Sequence, residues 1–157
     1  MAMATDATWD TVSGAEDAGR RVGVRARVLG LTTRVVGAGL CGVVAGIHLH
    51  LWLGGYRGIP TIGWLFLADV VGTGMLGAFV LVGPSGLLPW ALLSAAVAVA
   101  GTLGGLVLSL TIGLFGFEES VQAPLVVPTI VVEALSVVVL GILVRLAWRE
   151  RTQLRRR

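Results

Sequence analysis

The sequence contains no lysine, so all 12 of its basic residues are arginine. With its wealth of Ala, Gly and Val, this points to a GC-rich coding genome and carries no functional information. A single cysteine, Cys41, sits inside an apolar run, which excludes an internal disulfide and any zinc site built on thiolates. Charged residues make up only 13% of the chain, against about a quarter in a soluble domain, and they are pushed toward the two ends. Also missing are a P-loop, a GxSxG elbow, an HExxH helix, a CxxC pair, and a GxGxxG between a strand and a helix. These absences argue against a classical nucleotide-dependent, hydrolytic or zinc enzyme.

What is present is apolar. Hydrophobic residues account for 55% of the 157 positions and the mean hydropathy is +0.89. Such a chain has lipid as its solvent. The sequence pI near 10.4 could suggest nucleic acid, but no basic stripe is interleaved with aromatics and the arginines flank apolar runs. The lipid bilayer, with anionic headgroups at the Arg-rich ends, is therefore the expected partner, and nucleic acid is not.

Four apolar stretches can be drawn, 35–53, 62–82, 89–114 and 126–146. Each reaches the length needed to cross a hydrocarbon core, about 20 residues at about 1.5 Å of rise apiece. Breakers separate them: Gly54, Gly55, Gly58 and Pro60, then Gly83, Pro84 and Gly86, then Gly116 and Pro124. A membrane barrel would instead need many short segments alternating in polarity. The expected fold is all-α, a polytopic transmembrane four-helix bundle of antiparallel hairpins. A polar tail at 1–29, expected to be disordered, precedes the membrane domain 30–148. An Arg-rich tail at 149–157 follows it.

Orientation follows from the arginines. Arg20, Arg21, Arg25, Arg27 and Arg34 lie before or at the first span, six more from Arg145 onward lie at the end of the fourth, and only Arg57 falls between spans. Because positive charge is retained in the cytoplasm, both termini are expected inside, with the loops around 54–61 and 115–125 outside. Trp52, Tyr56, Trp64, Trp90 and Trp148 fall where interfacial aromatic belts would lie. Small residues every fourth position, Ala38, Gly42 and Gly46 on the first span and Gly101, Gly105 and Ser109 on the third, read as helix-packing seams. Such seams also leave room for a homo-oligomer or a larger membrane complex.

Four ionisable side chains lie inside the spans: His48 and His50, Asp69, and Glu133. Lipid exposure of such groups is costly, so they should face protein or water. Counted from the loop ends at about 1.5 Å per residue, His48, Asp69 and Glu133 lie roughly 8, 10 and 14 Å deep, in the same half of the bilayer. An outward-facing polar cluster follows, with Asp69 against the first span near one of the histidines. Two positions on a helix are about 200° apart, so His48 and His50 cannot share a face or one metal ion. Haem within one chain is disfavoured, because both histidines are on one helix. No cofactor is expected, and metal binding is left open. The residues accommodate a non-enzymatic membrane module for binding, assembly or accessory duty, proton, small-ion or metal handling through the His/Asp/Glu cluster, or a quinone-linked redox subunit. Glu118 and Glu119 in the outer loop read as a solvated turn.

Two segments carry a resemblance. GIHLHLWLGGYRGIPTIGWLF at 46–66 and GTLGGLVLSLTIGLFGFEE at 101–119 are similar to a group of small actinobacterial membrane proteins. The resemblance implies four helices in a plasma membrane and brings no activity, cofactor or catalytic residue with it.

Overall fold

The structure is a computed structural model and describes residues 6–155. It is all-α, with α1 at Asp6–Gly54, α2 at Ile62–Val82, α3 at Leu88–Thr111 and α4 at Val126–Arg155. The chain divides into two compact units, residues 1–33 and 34–157. The first is helical from Asp6 onward. The second holds the remainder of α1 and the other three helices.

Each helix has a stretch long and apolar enough to cross a membrane. The chain is a multi-pass membrane protein by these four helices, in antiparallel hairpin contacts with α3 and α4 packed most extensively. The expected bounds of the second span coincide with α2, and α4 starts at the expected Val126. The third span was drawn to residue 114, but α3 ends at Thr111. The reason is local. Gly113 has φ 78°, and Leu114 and Phe117 exchange backbone hydrogen bonds of 2.8 and 2.9 Å across Phe115 and Gly116, both at positive φ. Two central residues of this kind make a tight I′-type turn, which no helix can continue through. The Glu119 N–H then donates to the Ser109 carbonyl at 3.0 Å and folds the loop over the end of α3.

The faces that meet are set by helical spacing. On α4 the buried positions are Val126, Thr129, Glu133, Ser136, Leu140, Leu143 and Ala147, an alternation of three and four that is the seam of a left-handed bundle. On α1 the corresponding stripe is Gly37, Cys41, Val44 and His48. The densest packing surrounds Val44, Val80, Leu92, Ala95, Val99 and Leu140, all fully buried. Close approach of α1 to α2 occurs at Gly77, where a Cβ would stand 2.9 Å from the Cys41 Cβ and 3.3 Å from the Ala38 carbonyl oxygen. Without a side chain there, the two backbones can touch.

The end with the 83–87 turn is held by polar ties. The Arg34 guanidinium donates to the Val80 and Leu81 carbonyls at 2.8 and 3.2 Å and to the Ser85 hydroxyl at 3.2 Å. It thereby satisfies carbonyls that the last turn of α2 leaves without helical partners. Pro89 stands in the first turn of α3, where its missing N–H costs nothing. Trp90 and Trp148 meet edge to face at 5.1 Å between ring centroids, with the Arg151 guanidinium 5.4 Å from the centre of the Trp148 ring.

Candidate functional site

Three of the four intramembrane ionisable residues converge. His48 continues the buried stripe of α1, one helical turn beyond Val44. Its Nδ1 lies 3.0 Å from the Val44 carbonyl oxygen and 3.1 Å from Asp69 Oδ2 on α2. A carbonyl oxygen can only accept, so Nδ1 carries the hydrogen and aims it at Val44. Asp69 Oδ2 sits beside that N–H without the alignment of a hydrogen bond. The opposite ring nitrogen, Nε2, faces Glu133 Oε1 on α4 at 3.6 Å. One imidazole thus stands between two carboxylates drawn from two other helices. Burial is nearly complete, with 10% of the His48 side chain, 9% of Asp69 and 1% of Glu133 exposed.

His50 is not brought into this group. It lies two residues further along α1 and is exposed, on the face opposite His48 as the helical period requires. Gly42 and Gly46 share its exposed side, and nothing lies within 4 Å of where their Cβ atoms would be. Gly101 is equally open, and Gly105 would meet only Leu114, at 3.8 Å. The seam inside the chain runs through Gly37 and Gly77 instead. Ser109 is buried, with its hydroxyl donating to the Leu106 carbonyl at 2.8 Å.

The three converging residues form one wall of a cavity of about 320 Å³. Its sides are apolar, with Leu65 and Phe66 from α2, Leu106 from α3 and Val126 from α4. Gly101 and Gly105 leave the α3 wall recessed. Toward the loops the cavity reaches Tyr56, Phe117 and Glu119. The Tyr56 hydroxyl donates to Glu119 Oε2 at 2.6 Å, joining the α1–α2 loop to the α3–α4 loop. Tyr56 also stacks on Phe66 at 4.8 Å and meets the edge of Phe117 at 6.0 Å, and Phe66 lies 5.2 Å from the His48 ring. Burial first, and then the Glu119 hydrogen bond, push the Tyr56 hydroxyl above the ordinary tyrosine pKa.

Tyr56, expected in an interfacial belt, and Glu119, expected in a solvated turn, are instead joined to each other. An aromatic hydroxyl in one short loop and an acid in the next, on the same end of the bundle, was the available signal.

The geometry also limits what the cluster can hold. Among the described residues, no group of three or more His, Cys, Asp or Glu is arranged to hold a metal ion. The nitrogens of one imidazole point away from each other, so Asp69 and Glu133 cannot share an ion through His48. The same disposition suits proton movement, since an imidazole can accept on one nitrogen and release from the other.

No family model, curated protein or solved structure matches the chain. The four apolar helices alone place it among small four-helix membrane proteins, and the resemblance at 46–66 and 101–119 adds no family to that.

Proposed function

We propose that the protein is a small-molecule-binding module of the membrane whose site exchanges protons along the row Asp69, His48, Glu133. The observation that supports this reading is the position of His48, between two buried carboxylates on the wall of a cavity of ligand size. With Nδ1 holding its hydrogen against Val44, Nε2 is the nitrogen that receives a proton, and Glu133 is the group that faces it. Their 3.6 Å separation exceeds a direct hydrogen bond. Transfer requires a closing movement of a few tenths of an ångström or one bridging water. Burial of three ionisable groups in a membrane bundle is costly in stability, which weighs for use over decoration.

The arginine distribution supports an orientation with both termini cytoplasmic. The cavity would then reach toward the outer surface, with anionic headgroups at the Arg-rich ends.

The test is an infrared titration of the carboxyl bands of purified protein, comparing wild type with His48→Gln, Asp69→Asn and Glu133→Gln. Groups that share protons titrate as a set, so removing His48 is expected to move the titration of both carboxyls. Carboxyl titrations unchanged by His48→Gln would remove the basis for the row.

A further inference from the structure

We infer that the ligand of this cavity is a lipophilic organic cation, a protonated amine with an apolar body, whose ammonium group sits against Glu133 and Asp69. The inference rests on the small-molecule reading above and names the class of molecule.

The first argument is an inventory of donors and acceptors. Thr102, Ser109 and Thr129 face the cavity, and each has one hydroxyl hydrogen. Those hydrogens go to the Val99, Leu106 and Leu125 carbonyls at 2.8, 2.8 and 2.6 Å. Thr102 lines the same cavity as Glu133, yet its one hydrogen is committed to Val99. The Tyr56 hydrogen goes to Glu119, and the Nδ1 hydrogen of His48 goes to Val44. By contrast, Glu133 Oε1, Glu133 Oε2 and Asp69 Oδ2 are buried without a hydrogen-bond partner among the described residues. The cavity therefore offers acceptors and has its donors already spent. With Nε2 unprotonated and the acids ionised, a quinone or a carboxylate ligand, which needs donors for its oxygens, finds none free, whereas an ammonium group brings the donors these carboxylates lack.

The second argument is charge. The wall carries His48, Asp69, Glu119 and Glu133 and no arginine. Three acids against one imidazole leave the wall negative whenever two or more of the acids are ionised. A low-dielectric cleft lined by one sign of charge concentrates the opposite sign. The third argument is shape. The carboxylate oxygens without partners belong to Asp69 and Glu133 on one wall, and Leu65, Phe66, Leu106 and Val126 make the sides apolar. A bare inorganic cation, which needs six or so oxygens, would be left short of ligands. An alkyl or aryl body fills the apolar part, where the aromatic side chains of Phe66, Tyr56 and Phe117 also line the cavity.

A proton and an ammonium group compete for the same carboxylate oxygens. Occupancy by one is thus coupled to release of the other.

The experiment uses the full chain in zwitterionic phosphatidylcholine nanodiscs and three probes of nearly one shape: 1-naphthylmethylammonium, 1-naphthalenemethanol and 1-naphthoate. Binding is followed by naphthalene fluorescence. The cation is expected to bind saturably, at one per chain, and more tightly at about pH 8 than at about pH 5, a range over which the amine keeps its charge. The alcohol should bind at least about tenfold more weakly, and Glu133→Gln should weaken the cation about thirtyfold. Equal binding of alcohol and ammonium, or preference for naphthoate, overturns the cationic assignment. The wild-type comparison holds whether or not the variant folds. If all three probes fail while the infrared titration still couples both carboxyls to His48, the ligand class is wrong and the proton row stands. If the ammonium binds but His48→Gln leaves the carboxyl titrations unmoved, the cation site stands and the proton row falls.

Discussion

The two ends of the bundle are built on opposite principles. Toward the 83–87 turn, helices meet through Val44, Val80, Leu92, Ala95 and Leu140 with no exposed surface. Gly37 there admits Leu92, whose Cδ2 stands 2.8 Å from where a Cβ would be. Toward the 55–61 and 112–125 loops the same four helices separate around about 320 Å³ of space, and buried polar groups replace the aliphatic contacts. In lipid the hydrophobic effect does not draw helices together, so cohesion comes from close packing and polar ties. The filled end supplies both. The hollow end gives up packing, and carboxylates without hydrogen-bond partners add a further cost. Stability is therefore concentrated at one end, and the other is free to bind.

A pair of glycine replacements tests that division most severely. Gly77→Leu forces a side chain into the contact between α2 and the Ala38–Cys41 stretch of α1, where the nearest atoms include backbone. A loss of about 3 kcal/mol is expected in the unfolding free energy measured in mixed detergent and SDS, in line with overpacking of a dense core. Gly105→Leu makes the same chemical change on the wall of the cavity, where only the Leu114 side chain lies within 4 Å, at 3.8 Å. That variant should fold at least as well as wild type, because Gly is a poor helix residue by about 1 kcal/mol. It should also lose binding of naphthylmethylammonium by filling its space. Equal damage from both replacements would show that the hollow end is as tightly determined as the other.

Arg34 tests the polar tie at the filled end. Arg34→Met keeps much of the aliphatic stem and removes the donors to Val80, Leu81 and Ser85. Charged hydrogen bonds of this kind contribute about 1.5 to 3 kcal/mol, and partial exposure puts this one at the lower value. A drop of about 1.5 kcal/mol by the same measurement, with probe binding unchanged, is the expected outcome. Loss of binding alongside stability would mean that the two ends are not independent.

How far the residues alone revealed this arrangement depends on the kind of signal. Helix existence was plain, since continuous apolar runs admit nothing else in lipid, and the bounds of α2 coincide with the drawn span. The end of α3 was misjudged by three residues, because Ile112 and Leu114 are as apolar as the helix and the stop lies in the φ of Gly113. Depth counting gathered His48, Asp69 and Glu133 at one level, and the structure brings them together. The choice between histidines needed the rotation of α1. The small residues Gly42 and Gly46 read as a packing seam, whereas the buried face is that of Gly37, Cys41 and His48. Small residues permit close approach without requiring it. Only a neighbour of matching shape, such as α2 at Gly77, decides which stripe is used.

The smallest effect is expected at the latch between the loops. Tyr56→Phe removes one hydrogen bond, 2.6 Å to Glu119, and leaves the ring contacts with Phe66 and Phe117 in place. A loss of about 1 kcal/mol near neutral pH is expected. The pH dependence gives a sharper readout. The folded-state pKa of Tyr56 lies above its ordinary value of 10.0, through burial first and the Glu119 bond second. Its stabilising contribution is therefore fully present below about pH 10, where the unfolded chain also keeps the phenol protonated. It is lost as pH rises from there toward the folded-state value, because the unfolded state then releases a proton that the folded state retains. This chain is well suited to the measurement, since it has one tyrosine and no lysine. Tyrosinate absorbance reports Tyr56 alone, and no ammonium side chain titrates alongside it. The wild-type unfolding free energy should fall above about pH 10 more steeply than that of Tyr56→Phe, and the phenol should ionise at an ordinary pH once the chain is unfolded. Ionisation near pH 10 in the folded protein would mean that the two loops are not latched. The hollow end would then be open to water at its mouth.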